Sequence, residues 1–492
     1  MGEDYTFHMA KEPNLNPKRA AFPFQQEAVD FVTGRTYSAV FHEQGLGKTK
    51  IAIDAMLTWL RRKEVDTVLI VTKKGLIANW QRELLDHTFF RASVLSDDSR
   101  ANYYVFTTPS RVVLAHFEVA KKEEKRLAIW AKSRNVAIIL DESAKIKNPD
   151  SALTRTYFRI AGLFKKRVIM TGTPVANRPF DVWAQIFFLD QGKTLGTDFV
   201  DFKRRTDLTS DLRHDDQLFR RYCEDLESVQ RKLNTISVRE TKNGGIISLP
   251  DKEFIQLTCN WEPHQRDLYF QVRDEMRAVI QRDGQLVEES QDEILKRLLR
   301  LLQIASHPGA VDENYTAEPG KYKDLYDLIT DITNRDEKVI VFTQFTFVAA
   351  WLRKNLSAFG SLLLTGKMSM QDRNNSVNWF LSNAGDRVLV ATVGAAKEGL
   401  TLTVANHVIF YDRSYSLDDY LQAQDRIHRV SQVKKCYVYN LIMRDSIDEW
   451  IEALIDQKRL AAQLTQGDIT ADEYKAKADF SFADILDDIL GN

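Results

Sequence analysis

The sequence predicts an α/β protein with two separate parallel sheets, and two observations carry that expectation. Short runs rich in valine and isoleucine recur between helical stretches, which is the sequence form of strands buried on both faces. These runs also fall into two series, parted by a long helical region and a turn-rich stretch. In the first series, strands are expected near 37–41, 67–71, 103–107, 136–140 and 168–170. In the second they are expected near 338–342, 361–364, 387–390, 407–410 and 436–441. Helical regions are expected at about 181–231 and 264–304. Asn243, Gly244, Gly245 and Pro250 punctuate the chain between the series, so a boundary is expected near 240–255.

Composition narrows the function classes. With 492 residues, 44% hydrophobic and 10% aromatic, the chain can bury a sizeable core, and disorder and collagen-like repeats are excluded. Lysine and arginine number 68 against 69 acidic residues, so no global basic field announces a nucleic-acid partner, and one must be held by a local cleft. Cys223, Cys259 and Cys436 are far apart with no C-x-x-C pair, which excludes a disulfide framework and a cysteine-rich zinc site and fits a reducing cytosol. Apolar runs are strand-sized, so no bilayer crossing is expected, and the polar N-terminus does not read as a signal peptide. Met1-Gly2 with Thr6 matches a short myristoylation pattern, but Glu3 and Asp4 would oppose an anionic surface. The run KKEEKR at 121–126 reads as a solvated helix face.

The chemistry is concentrated in two strings. HEQGLGKT (42–49) follows an expected strand and precedes an expected helix. Gly45 and Gly47 allow a turn tight enough for backbone N–H groups, with that of Leu46 between them, to surround phosphate oxygens, aided by the helix N-terminus. Lys48 would reach the β- and γ-phosphates of a nucleotide, and the Thr49 hydroxyl would coordinate magnesium. The full P-loop pattern wants glycine where His42 stands, so the match is to the core G-x-G-K-[ST]. In the second string, Ala137-Ile138-Ile139-Leu140 runs into Asp141-Glu142, putting two carboxylates at a strand's carboxyl end, where ligands bind in open α/β sheets. Asp141 can hold the magnesium, and Glu142 is placed to orient or deprotonate an attacking water.

With these residues in view, the chain resembles the Swi/Snf-type ATPases of helicase superfamily two, which are double-stranded DNA translocases. The likeness runs from about 22 to 454. Pro23-Phe24-Gln25 resembles the adenine-recognition motif, with Gln25 as its glutamine. EQGLGKT (43–49) is similar to motif I, LIVTKKGLIANWQREL (69–84) to motif Ia, LDESAKIKN (140–148) to motif II and TGTPVANRPFDVW (171–183) to motif III. KVIVFTQF (338–345) resembles motif IV, followed by LTGKMSMQDR (364–373). VLVATVGAAKEGLTLTVANHVIFYD (388–412) resembles motif V, with Gly399 in a nucleotide-binding position, and QAQDRIHRVSQ (422–432) resembles motif VI. Arg426 and Arg429, three residues apart, would project from one face of a helix as arginine-finger candidates. Three departures stand out. Ala144 replaces the usual motif II histidine, Ala176 a common glutamine, and Ala395-Ala396-Lys397 common glycines.

The resemblance implies two RecA-like lobes with helical insertions and ATP bound in the cleft between them. The expected divisions are an extension at 1–20, lobe 1 at 21–245 with an insertion at about 181–235, a linker and insertion at 246–320, lobe 2 at 321–465 and an acidic segment at 466–492. It further implies a magnesium- and ATP-dependent hydrolase that tracks along double-stranded DNA without reading sequence. Two other readings stay open: a strand-separating or annealing fork-remodelling helicase, and a slow ATP-switch clamp on nucleic acid or a protein partner. Candidate phosphate-backbone contacts lie just past expected strand ends, at Lys73, Lys74, Thr107 and Thr108 in the first half and Gln344, Thr365, Gly366, Lys367 and Thr392 in the second. Tyr157, Phe158, Trp183, Phe187 and Phe188 read as core rather than base-stacking platforms. Phe480, Phe482, Ile485, Leu486, Ile489 and Leu490 among Asp484, Asp487 and Asp488 form an amphipathic segment that either packs on the motor or meets a protein partner. A cytoplasmic monomer from a prokaryotic or viral source is expected, with no membrane contact.

Overall fold

A computed structural model describes residues 13–242, 249–280, 291–396, 400–429, 431–481, 485, 486 and 489. The Met1-Gly2-Thr6 pattern and the turn residues Asn243, Gly244 and Gly245 lie outside that set, as do Lys397, Gly399, Phe482, Asp484, Asp487, Asp488 and Leu490. The chain divides into two compact units. The first runs to Asp207 and adds the described part of Arg221–Ile247 and Leu464–Asp468, and the second takes Leu208–Arg220 and the rest.

The first unit is built on seven strands: β1 (Tyr37–Val40), β2 (Thr67–Thr72), β3 (Ser93–Val94), β4 (Val112–His116), β5 (Val136–Asp141), β6 (Lys166–Met170) and β7 (Ser237–Val238). They lie in the order β3-β4-β2-β5-β6-β1-β7, all parallel. β2, β4 and β5 are buried along their whole lengths, which is why they read as unbroken apolar runs. The second unit carries β8 (Lys252–Cys259), β9 (Val339–Thr343), β10 (Ser361–Leu364), β11 (Val388–Thr392), β12 (His407–Phe410) and β13 (Cys436–Met443). Their order is β10-β11-β9-β12-β13-β8, again all parallel. Two parallel-sheet α/β units are therefore present, as expected.

Four strands escaped the sequence reading and one expected strand is a helix. Residues 103–107 belong to a helix, Ser99–Thr107, and the strand is β4 instead. The run YYVFT has strand-like composition, but Asp98 caps the helix by accepting from the Arg100 N–H at 2.8 Å. Buried Asn102 then ties the segment to both main-chain groups of Ser96 and to Glu123, while Tyr103 and Tyr104 face outward at 60% and 71% exposure. β8, within the stretch expected to be linker and insertion, alternates exposed and covered residues because among the described residues it is an edge strand beside β13. β3 and β7 have two residues each, too short to leave a pattern.

The cysteines and the aromatic cluster follow expectation. The three cysteines are buried and unbridged. Tyr157, Trp183 and Phe188 are buried, and Phe158, Trp183 and Phe187 pack on one another. Among the described residues no helix is long and apolar enough to cross a membrane. In the 121–126 run Glu123 is the exception to solvation, buried under Asn102 and paired with Arg126. Near the C-terminus, Tyr474 and Phe480 lie against Phe219 in the second unit, and Ile489 is buried.

Candidate active site

Parallel strands bring all their carboxyl ends to one edge, so the loops after β1, β2, β5 and β6 are neighbours in the first unit. The loop after β1 holds the glycine-rich string. Gly45 and Gly47 both have positive φ, 86° and 75°, and the helix Lys48–Arg61 starts directly after. Position 47 is also crowded, since a Cβ there would meet Gln25 Nε2 at 2.2 Å and displace that side chain. Gln25 lies buried over the loop, its amide donating to the Leu46 carbonyl at 3.2 Å and its oxygen accepting from the Phe22 N–H. The adenine-motif glutamine and the phosphate loop are thus one assembly. Lys48 is buried and its ammonium donates to the carbonyls of His42 at 2.8 Å and Glu43 at 3.2 Å. His42, standing in place of the pattern's glycine, is buried against Phe24. Burial, then the Lys48 charge, push its imidazole down to about 4, so it adds no second cation to the loop at neutral pH.

Asp141 closes β5, and Glu142 follows it with left-handed backbone, φ 58° and ψ 47°. Register explains the surroundings of Asp141, because Val71 of β2 pairs with Leu140 and Thr72 falls next to the carboxylate. Thr72 Oγ1 donates to Asp141 Oδ2 at 3.1 Å and Trp80 Nε1 donates to the same oxygen at 2.8 Å. Burial and the adjacent Glu142 charge push the Asp141 carboxyl up to about 6, against the opposing pull of Trp80, Lys48 and Thr72. Two adjacent carboxylates, one buried and hard to ionise, beside a glycine loop with a lysine, suit a magnesium–nucleotide complex: a dication favours the ionised form that burial disfavours. Thr49 and Asp141 are the residues able to hold the metal. Glu142 Oε1 accepts from Gln44 Nε2 at 3.3 Å, and Lys73 Nζ lies 3.6 Å from Oε2.

Beside Ala144, buried Ser143 donates to Gln185 Oε1 at 2.8 Å. Gln185 donates to the Pro174 carbonyl at 2.8 Å, joining the segment after β5 to the loop after β6. Gly172 in that loop leaves room for Gln44, whose Cγ would be 2.8 Å from a Cβ there.

In the second unit Gln344, Thr365 and Thr392 stand at the carboxyl ends of β9, β10 and β11, with Gly366 and Lys367 exposed beyond Thr365. These three strands are neighbours, so the candidates share one edge. Arg426 and Arg429 are not on a helix, since the helix Leu417–Gln424 ends before them. They follow in a turn in which Arg426 Nε donates to the Gln422 carbonyl and Arg429 Nη1 to Thr401 Oγ1 at 2.6 Å. Thr107 and Thr108 also change standing. They close the helix Ser99–Thr107 rather than a strand, and the Thr107 hydroxyl donates to the Tyr103 carbonyl at 2.9 Å. Lys74 pairs with exposed Asp97 at 2.6 Å, whereas Lys73 turns to Glu142. Gly399 lies outside the described residues.

Sequence reasoning assigned no role to Thr72, Trp80, Gln44, Ser143 or Gln185. The first four lie inside quoted motifs, but only strand order shows that the segment after β2 flanks the end of β5.

The chain is similar to known proteins. Residues 24–310 match the SNF2-related domain and residues 320–431 the helicase conserved C-terminal domain. An uncharacterized ATP-dependent helicase of Mycoplasma genitalium is 26% identical over 466 residues, covering 92% of this chain and 43% of that protein. The putative ATP-dependent helicase/translocase YwqA of Bacillus subtilis is 28% identical over 446 residues, covering 85% and 45%. Among solved structures, the Sulfolobus solfataricus SWI2/SNF2 ATPase core in complex with dsDNA is 23% identical, with 97% and 98% covered and a TM-score of 0.42. The chain therefore spans under half the length of these two curated relatives. With the SNF2-related domain matched over more than half of its residues, and the helicase C-terminal domain following in order, the chain belongs to the SNF2-related family of ATP-dependent helicases.

Proposed function

We propose that this chain is a DNA-dependent ATPase that translocates along double-stranded DNA and remodels DNA or protein–DNA complexes without reading sequence. The observation that carries the ATP chemistry is the gathering of Gln25, the Gly45–Thr49 loop, Asp141 and Glu142 at one sheet edge of the first unit. In this reading the loop N–H groups and Lys48 bind the phosphates, and Gln25 reads the base. Magnesium, when bound, neutralises charge on the phosphate oxygens. Thr49 and Asp141 hold it, while Thr72 and Trp80 orient the Asp141 carboxylate. Glu142 orients the attacking water and accepts its proton. Arg426 and Arg429 supply guanidinium charge for the transferring phosphoryl group, as the family resemblance implies.

The duplex reading is supported by strand-end groups suited to phosphate and not to base edges. Lys73 and Lys74 follow β2 in one unit, and Gln344, Thr365, Gly366, Lys367 and Thr392 share an edge in the other. Contacts of that kind bind a backbone independently of sequence and weaken steeply with salt. The word translocase in the description of the Bacillus relative points the same way.

The test is steady-state ATP hydrolysis with blunt duplex DNA, single-stranded DNA and RNA side by side, at two salt concentrations. Duplex should stimulate most, the effect should fall with salt, and RNA should stimulate poorly. Stimulation by single strands with none from blunt duplex would replace the translocase by a strand-separating helicase. Tight duplex binding without faster turnover would replace it by a slow clamp.

A further inference from the structure

Glu142 is held on both sides of its carboxylate by groups that the phosphate-loop pattern does not demand. Gln44 Nε2 donates to Oε1 at 3.3 Å, and the Lys73 ammonium faces Oε2 at 3.6 Å, longer than a hydrogen bond. Lys73 reaches Glu142 because it is the first residue past β2, and β2 lies directly beside β5. Its side chain is 30% exposed, against 13% for Glu142, so one end of the pair opens to solvent and the other lies in the ATP site. The neighbouring Lys74 differs, with its ammonium on Asp97, where both side chains are more than half exposed. The two lysines of the string TKKG therefore do separate things.

We propose that Lys73 is a positioning residue that holds Glu142 out of action until a phosphate backbone draws the ammonium away. The inference rests on the proposed duplex-stimulated ATPase and deepens it, naming how occupancy of the strand edge is communicated to the water-orienting carboxylate. In the proposed mechanism the attacking water takes the place that the ammonium holds at Oε2, and a half-open pair at 3.6 Å is one that a polyanion can compete for. A lysine is a compact, mobile point charge able to serve either partner in turn. Gln44 keeps its hold on Oε1 throughout, so the carboxylate remains oriented when the lysine leaves. The coupling needs no movement of the sheet, only the transfer of one side chain from a carboxylate to a phosphate.

The experiment compares wild type, Lys73→Met, Lys73→Gln and Lys73→Arg, measuring ATP turnover without DNA, turnover at saturating blunt duplex, the duplex concentration giving half the effect, and KM for ATP. In Lys73→Met and Lys73→Gln the rate without DNA should rise about fivefold or more while KM for ATP stays put, as expected for loss of a coupling contact. The ratio of stimulated to unstimulated rate should fall correspondingly. Lys73→Arg, which keeps the charge, should restore the low resting rate. A resting rate that stays at or below wild type in Lys73→Met and Lys73→Gln overturns the inference, including the case where only the half-effect duplex concentration rises, which marks Lys73 as a plain backbone contact. A wild-type chain that no duplex stimulates overturns the proposed function itself, and the inference falls with it.

Discussion

The indole N–H of Trp80 donates to Oδ2 of Asp141 at 2.8 Å, across 61 residues of sequence and with both groups buried. A neutral donor on the carboxylate proposed to hold magnesium fixes its orientation without cancelling its charge, as outer-shell partners do at metal sites. Replacing Trp80 with Phe keeps most of the ring and removes the N–H, leaving the Thr72 hydroxyl donating to that oxygen. The magnesium concentration for half-maximal ATP hydrolysis should rise about tenfold or more. A titration unchanged from wild type in a folded Trp80→Phe protein would show that Trp80 is packing alone.

Lys48→Ala and Glu142→Gln should separate binding from hydrolysis. The first removes the ammonium that bonds the His42 and Glu43 carbonyls and is proposed to meet the nucleotide phosphates, and should abolish turnover with the fold intact. The second keeps Asp141 and the loop, so ATP should still bind and remain unhydrolysed. Nucleotide-binding affinity measured beside turnover checks both. Wild-type hydrolysis by Lys48→Ala would sink the site assignment.

Gly47→Ala places a methyl group 2.2 Å from Gln25 Nε2 at a backbone φ of 75°. The left-handed conformation alone costs alanine about 1–2 kcal/mol. Gln25 can move aside, so the fold should survive, but only by giving up its bond to the Leu46 carbonyl. Weaker ATP binding with reduced preference over GTP is the expected result. Equal preference in mutant and wild type would remove Gln25 from base recognition.

Arg429→Ala should spare nucleotide binding, which the first unit supplies, and collapse turnover by roughly a thousandfold, the effect of losing an arginine finger elsewhere. Steady-state rates and nucleotide affinity on the same preparation distinguish this from misfolding. A mutant with turnover near wild type would assign Arg429 to its own turn, where it already bonds Thr401.

In the second unit Lys321 is fully buried, 2.5 Å from Asp448 and donating to the Tyr411 carbonyl at 2.9 Å. Removing one member leaves the other charge buried without its ion-pair partner, so Lys321→Ala should cost about 3–5 kcal/mol of stability. Denaturant unfolding checks it. A midpoint within error of wild type would mean that the Asp448 charge is absorbed by its other donors.

Much of this protein was legible before any coordinates. Both sheets announced themselves as Val- and Ile-rich runs, because a strand covered on both faces has no polar positions to alternate. The glycine loop was equally legible, since its residues are consecutive and positive φ at 45 and 47 selects glycine whatever surrounds them. The reading failed where local composition and tertiary context disagree. YYVFT looks like a strand, but Asp98 and Asn102 hold it as a helix, and edge strand β8 lacks the buried run that marks its neighbours. It failed again at Arg426 and Arg429, whose spacing suits a helix that in fact ends at Gln424.

The sequence by itself determined which groups are available for the proposed chemistry: the phosphate loop and the Asp141-Glu142 pair are each set by adjacent residues and strand-to-loop context. Only the tertiary structure decided which groups act on them. That Trp80 and Thr72 hold Asp141, that Gln44 and Lys73 hold Glu142, and that Ser143 reaches Pro174 through Gln185 all follow from strand order. In a parallel sheet, strands distant in sequence lie side by side, and adjacency is set by crossover connections that leave no local mark in the chain.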